Sequence, residues 1–267
     1  MNIRKIILLT GLICCQISMF GQYIDPSMFR DDLAMDTATI EVSYRFTFVR
    51  DTLKPDVYTN PDEQTLLIGS KISKYFSQRL ADKTEQGNFF SPIEGACSFE
   101  IFKNHSEGRM TVTDIGHDFL LGANFMYEEE MPKIDWKLTT DTCTILDYPC
   151  LKATTFFRGR DYEAWFTKVI PINDGPWKFH GLPGLILKVS DSKRQVMFEF
   201  AGFRHLVKPK SILLYDLEYK HTSRQELSGF YKECLDDAIG YAIKYKTELM
   251  GQIDYVPPGP YNPIEIE

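Results

Sequence analysis

Between Thr39 and Phe48 the chain alternates without a break: Ile40, Val42, Tyr44, Phe46 and Phe48 fall on one side, and Thr39, Glu41, Ser43, Arg45 and Thr47 on the other. A period of two marks a strand buried on one face. A chain that opens this way needs a sheet to lie in, and the residues that follow supply one. Strand-like runs recur at 65–68, 99–103, 109–113, 119–127, 136–140, 150–157, 162–168, 185–189, 195–200 and 211–219. Most are parted by turn chemistry such as Asn104-His105-Ser106-Glu107-Gly108 and Arg158-Gly159-Arg160-Asp161. The 19 Phe and 14 Tyr suit such a sheet better than they suit helices.

Two segments read as helical. Ser70 fits an N-cap for a helix to about Asp82, with Ile72, Tyr75, Phe76, Arg79 and Leu80 at helical spacing. Ser223-Arg224-Gln225-Glu226 is a capping-box pattern opening a helix to about Met250, where Gly251 stands in the C-cap place. The expected fold is therefore α+β and β-rich, a curved antiparallel sheet forming a bowl or half-barrel, with one early and one late helix covering a face. All-β units of this length fold as one domain, so residues 22–267 are expected to form a single unit, with an extended, proline-rich tail at 252–267 laid on the surface.

The first 21 residues read as a secretory leader: Arg4 and Lys5, then an apolar run from Ile6 to Cys15, then Gly21 before a cut at Gln22. The run is too short and interrupted for a permanent anchor. Leu12 three places before Cys15 sits in a lipoprotein-type box that Cys14 spoils, so lipidation is disfavoured. An exported chain, periplasmic or at the cell surface, is the expectation. Its net charge is −7, and more negative once Arg4 and Lys5 leave, which argues against nucleic acid or anionic lipid as a partner. Outside the leader stand Cys97, Cys143, Cys150 and Cys234. Cys143 and Cys150 flank a turn-forming stretch, so a disulfide between them is expected in an oxidising compartment, with buried free thiols as the alternative.

The stretch Gly175-Pro176-Trp177-Lys178-Phe179-His180-Gly181-Leu182-Pro183-Gly184-Leu185-Ile186-Leu187 concentrates turn formers and large aromatics just ahead of a buried-looking strand. It contains the string GLPGLI, and on it the chain resembles the GLPGLI family of exported bacterial proteins of unknown function. Further support comes from 66–77, from Tyr148-Pro149-Cys150 through Thr167, and from Tyr261-Asn262-Pro263-Ile264-Glu265, which looks like the family's closing signature. The resemblance implies a bowl-like sheet comparable to lipoprotein-carrier half-barrels, in the periplasm or at the surface, alongside outer-membrane receptor systems. A related module is used as a companion domain by a secreted glycan-cleaving enzyme, which points toward carbohydrate surroundings.

Physically, Gly175-Pro176 and Pro183-Gly184 each favour a turn, the second of type II. The motif residues Gly175, Pro176, Gly181, Pro183, Gly184, Leu185 and Ile186 are expected to form a rigid double bend. Two readings follow. In one, Trp177 and Phe179 plug an end of the sheet and the motif is architectural. In the other, Trp165, Trp177, Phe179, His180 and Leu182 form a platform for a ligand or an envelope partner such as an outer-membrane receptor.

Bond-making chemistry is poorly supported. The five histidines, His105, His117, His180, His205 and His221, show no HxH or HExxH spacing, so neither a metal site nor a cofactor is expected. No nucleophile elbow, P-loop or dinucleotide fingerprint is present. Glu128-Glu129-Glu130 reads as a solvated strand end rather than a calcium site. Asp161, Glu163 and Asp174 are the carboxylates that would act as acid and base in an accessory or degenerate hydrolase of envelope glycans or peptides. A non-catalytic binding or accessory domain is the leading expectation; a purely structural domain is a further alternative.

Overall fold

The computed structural model describes residues 31–49, 52, 61–85, 98–115, 123–245 and 262–266. The leader, Cys97, His117, the predicted helix end at Gly251 and the tail before Asn262 lie outside the described residues. In chain order the elements are β1 (Leu33–Phe48), β2 (Asp62–Ile68), β3 (Ile72–Ser77), α1 (Gln78–Glu85), β4 (Phe99–Asn104), β5 (Arg109–Asp114), β6 (Asn124–Glu130), β7 (Lys137–Ile145), β8 (Tyr148–Phe157), β9 (Arg160–Thr167), β10 (Leu185–Asp191), β11 (Val196–Leu214), β12 (Tyr219–His221), α2 (Arg224–Asp236) and α3 (Ala238–Tyr245).

The strands form one open sheet in the order β12-β6-β5-β4-β3-β2-β1-β11-β10-β9-β8-β7. Neighbours run antiparallel except β12, which adds to β6 in parallel. The expected β-rich α+β class, with an early and a late helix, is the one observed. β1 sits near the middle, and its alternation works as the sequence suggests: Val42, Tyr44 and Phe46 are core residues, with Ile40 and Phe48 packed beside them. The inner face of the sheet is filled by the glycine-rich segment and by α2. Phe125 meets Phe230 at 5.6 Å, and Phe99 meets Tyr231 at 6.3 Å.

Three local expectations are corrected. The segment from Ser70 is not a helix: residues 72–77 form β3, and the helix begins only at Gln78. Every residue of β3 is buried because both faces of the sheet are covered there. Tyr75 packs in the main core, while Ile72 and Phe76 join Leu67, Phe102 and Ile212 on the outer side. Lys74, also outward, pairs with Glu100 at 2.8 Å and donates to the Leu213 carbonyl. A strand buried on both sides loses its period-two signature, and within six residues helical and extended spacing overlap. Ser70 instead lies beside the Asp36 carboxylate, which accepts the Lys71 and Ile72 N–H groups at 2.8 and 3.0 Å.

The second correction carries the run at 195–200 on through Leu214 as β11, a single strand of 19 residues paired with β1 on both sides of an irregularity at 206–209, while the rest of the run at 211–219 leaves the strand and Tyr219 opens β12. Register shifts in that ladder let the pair curl over the outer face. The third concerns the late helix. Its capping box is present, with Ser223 Oγ accepting from Glu226 N and the Glu226 carboxylate accepting from Ser223 N. The helix then breaks at Asp237, whose carboxylate accepts from Gly240 N at 2.9 Å and so caps α3.

Candidate functional site

The glycine-rich segment enters the bowl after β9 and leaves it as β10. Its backbone is unusual at several points. Trp177 has φ 52°, a left-handed conformation costly for a bulky residue. Phe179 N donates to Pro176 O at 3.1 Å, closing a turn around it. The reversal lets Trp177 and Phe179 enter the core while Lys178 between them reaches a different cluster. Pro183-Gly184 is not the expected type II turn. Gly184 N donates to Leu182 O at 2.8 Å, an i to i+2 closure, while Leu185 N turns away to Ile170 O. Gly184 has φ 148°, and a β-carbon there would lie 2.1 Å from Thr167 O. Close approach of two backbones, rather than turn type, is why glycine stands here.

Three anchors hold the segment. The aromatic one places Phe179, with no exposed surface, between Tyr162, Phe157 and Trp177 at 4.9, 5.8 and 5.1 Å. Trp177 stacks on Phe198 at 6.4 Å, and Leu182 is buried beside them. The platform expectation is thereby corrected: Trp177, Phe179 and Leu182 are core, not a surface. Trp165 does not join them. Strand alternation puts Tyr162, Ala164 and Phe166 inside, and Trp165 on the opposite face under Lys152.

The second anchor is ionic. The Lys178 ammonium donates to Glu129 and Glu265 at 2.6 Å each and to Tyr127 Oη at 2.9 Å. Burial opposes its charge, but Tyr127, Glu265 and Glu129 outweigh burial and push the pKa up to about 12. Arg158 and Arg224 approach the same two carboxylates. Thus Glu129, from the acidic run, is a structural counter-ion. The described end of the tail is held in the molecule rather than laid on it: Arg160 also donates to Asn262 Oδ1, Pro263 O and Ile264 O.

The third anchor is Asp174, wholly buried. Its Oδ1 accepts from Lys103 Nζ and, at 2.7 Å, from Gly175 N; its Oδ2 accepts from Ser73 Oγ at 2.5 Å and faces His105 Nε2 at 3.1 Å. Burial works to raise this carboxyl, yet Lys103, reinforced by His105, holds it well below the usual carboxylate range. Burial lowers the Lys103 ammonium against the pull of Asp174. The donors converging on Asp174 keep it ionised, and Lys103, bound also to Gly175 O, is its counter-ion. Neither Lys103 nor Ser73 was singled out from the sequence. A lysine following Ile101 and Phe102 was the available hint, but its partner stands at a separation of 71 residues.

Ser73, His105 and Asp174 are a serine, a histidine and an aspartate in contact, but they do not form a relay. Ser73 Oγ lies 3.2 Å from His105 Nε2, the same nitrogen that faces Asp174. A catalytic triad needs the acid on one ring nitrogen and the hydroxyl on the other. Nor are the three predicted carboxylates assembled, since Asp161 and Glu163 are exposed on the outer face of β9, whereas Asp174 is inside the bowl. No group of three or more metal-type ligands occurs among the described residues.

His180 lies at the rim of this cluster. Its carbonyl accepts from Trp136 Nε1 at 2.8 Å, and its buried Nε2 has no hydrogen-bond partner. Burial, helped by the nearby Lys103, pushes the imidazole down to about 4. The folded chain therefore keeps His180 neutral, whereas the unfolded chain protonates it near 6.5. Its contribution is complete above that pH and is lost as the pH falls toward 4. We expect thermal stability to drop between pH 7 and 4.5, with a loss on the order of 1–2 kcal/mol from this imidazole after allowing for its partial exposure. Melting curves of His180→Gln should show a flatter pH profile; an unchanged profile would assign the drop elsewhere. Asp174 adds a loss of the same sign below about 3.8.

Cys143 and Cys150 stand directly opposite each other on β7 and β8. The expected disulfide is not formed: both are free thiols. Cys234 is a thiol buried on α2.

With this geometry in place, comparison with known proteins adds two findings. Residues 157–188, which include β9 and the whole bend, match a family described as "Protein of unknown function (Porph_ging)". No curated protein matches. Among solved structures the chain is similar to PNGF-II in two crystal forms. In the P21 form the TM-score is 0.52 at 16% identity, over 74% of this chain and 34% of that one. In the C2 form it is 0.51 at 16% identity, over 74% and 33%. This chain thus spans about a third of the length of PNGF-II. The chain shares its sheet architecture with part of PNGF-II, and its bend carries the match to a family of unknown function.

Proposed function

We propose that this chain is an exported, non-catalytic accessory domain of the GLPGLI type that binds a protein partner in the cell envelope through the outer face of its sheet. The observation that carries this reading is that the bend's reactive-looking groups are consumed internally: Asp174 by Lys103 and Ser73, Lys178 by Glu129 and Glu265, Trp177 and Phe179 by the core. The likeness to a third of a much longer chain supports a module that serves a larger system. What remains outside is the face of β8 and β9, where Phe156 is 61% exposed and Trp165 is half-buried under Lys152, with Asp161 and Glu163 between them. Aromatic groups set among charges of both signs suit a transient protein interface.

A photoreactive residue placed at position 165 in the native host should capture one discrete envelope protein, and Phe156→Ser with Lys152→Ala should abolish the capture. Equal labelling from a probe at Val207, which is fully exposed on β11, would refute the reading.

A further inference from the structure

The opposed cysteines lie in a built setting. A cleft of about 340 Å³ opens beside the β7–β8 hairpin, lined by Cys143, Cys150, Thr142, Thr144, Lys168 and Val169. The ladder geometry follows from one residue. Pro149 has no N–H to give, and its carbonyl points away from β7 to accept from Thr167 Oγ1 at 2.8 Å. Thr144 and Pro149 are therefore a pair without mutual hydrogen bonds, and the next pair, Cys143 and Cys150, is a hydrogen-bonded one. Such a pair holds its α-carbons about 5.5 Å apart. That separation falls inside the range a disulfide spans.

The two thiols are unequal. Cys143 is partly exposed to the cleft, whereas Cys150 is buried and directed at the Tyr148 carbonyl at 3.3 Å. Burial raises both thiols, and Cys150, pushed up to about 11, is the weaker initial nucleophile. The loop between them is a short hairpin whose register is already set, so a bridge here constrains the unfolded chain less than one across a long loop would. A pair positioned for closure, with one thiol open to the cleft, is suited to exchange.

We propose that Cys143 and Cys150 form a dithiol–disulfide exchange site for small disulfides carrying carboxylates, with Cys143 as the entering thiol and Cys150 as the resolving one. The Cys143 thiolate attacks the external disulfide, forming a mixed disulfide and releasing one thiolate. Cys150 then attacks the Cys143 sulfur, closing the protein disulfide and releasing the second. Two electrons pass from the protein to the small disulfide, and the two thiol protons end on the released thiols. Lys168 at the cleft matches a carboxylate on the incoming molecule. This site does not depend on the docking face proposed above.

The test uses the reduced full chain and oxidised glutathione as probe, read by peptide mapping. Trypsin releases residues 138–152 as one peptide holding both cysteines. We expect that peptide to lose two hydrogens and resist alkylation, with no lasting glutathione adduct, while Cys234 stays a thiol. Cys150→Ser should trap the adduct on Cys143, and folded Cys143→Ser should react at least about tenfold more slowly at Cys150 than the trapped adduct forms. A wild-type chain that keeps both thiols free, or stalls as the adduct, would overturn the exchange site. Equal rates in the two variants would overturn the assigned order. The wild-type readout stands even if a variant folds poorly.

Discussion

Asp174→Ala is expected to destabilise the chain by about 3–5 kcal/mol, the cost of removing one partner from a buried ion pair. Lys103 has no exposed surface and would be left with only the Gly175 carbonyl for its ammonium. Ser73 would lose its carboxylate acceptor as well. The effect belongs to the charge more than to shape, so Asp174→Asn, which keeps an amide oxygen for hydrogen bonding, should fall between Ala and the natural residue. Replacing the pair together, with Lys103→Met and Asp174→Leu, should recover much of the loss, because an apolar pair needs no compensation. Urea denaturation followed by circular dichroism measures all of this. A cost for Asp174→Ala below about 1 kcal/mol would mean that the pair is solvated, contrary to the closed cluster described here.

Phe179→Ala is the second large effect, about 3–5 kcal/mol from lost burial and the cavity left behind. The ring lies against Tyr162, Phe157, Trp177 and Phe198, and removing it leaves Trp177 in a left-handed backbone with one packing partner fewer. Trp165→Ala provides the contrast. Trp165 is only half-buried beside the core, so its loss should cost clearly less than that of Phe179. If the bend were a ligand platform, the order would reverse: Phe179→Ala would spare stability and abolish binding. Denaturant midpoints for the two variants, measured side by side, decide between staple and platform.

Both predictions rest on residues whose importance was only half legible. Trp177 and Phe179 stood out in the sequence because two aromatics among glycines and prolines are rare. Whether they faced inward was not readable, since the same residues fit a plug at the end of the sheet and an exposed platform. The partners of Lys178 are contributed by β6 and by the end of the chain, and no local pattern announces a pairing over 49 residues or more. Lys103 poses the same difficulty. A lysine in a strand reads as solvent-facing until the element that covers it is known.

The elements divide in the same way. Residues 39–48 of β1 were legible without the fold, because their alternation needs only a one-sided core, and so was the start of α2, because a capping box is closed within four residues. The sequence also determined the β-rich class, since serial short strands parted by turns leave few other folds. The tertiary structure alone decided that residues 72–77 are a strand, that β11 runs unbroken past Pro209, and that Pro183-Gly184 closes over two residues instead of three. In each case burial on both faces, or a backbone arriving from elsewhere, outweighed local preference. Asp174 is the limiting example: a surface-type residue in the sequence, it becomes a buried charge of the bend because the chain brings Lys103, Ser73 and His105 around it.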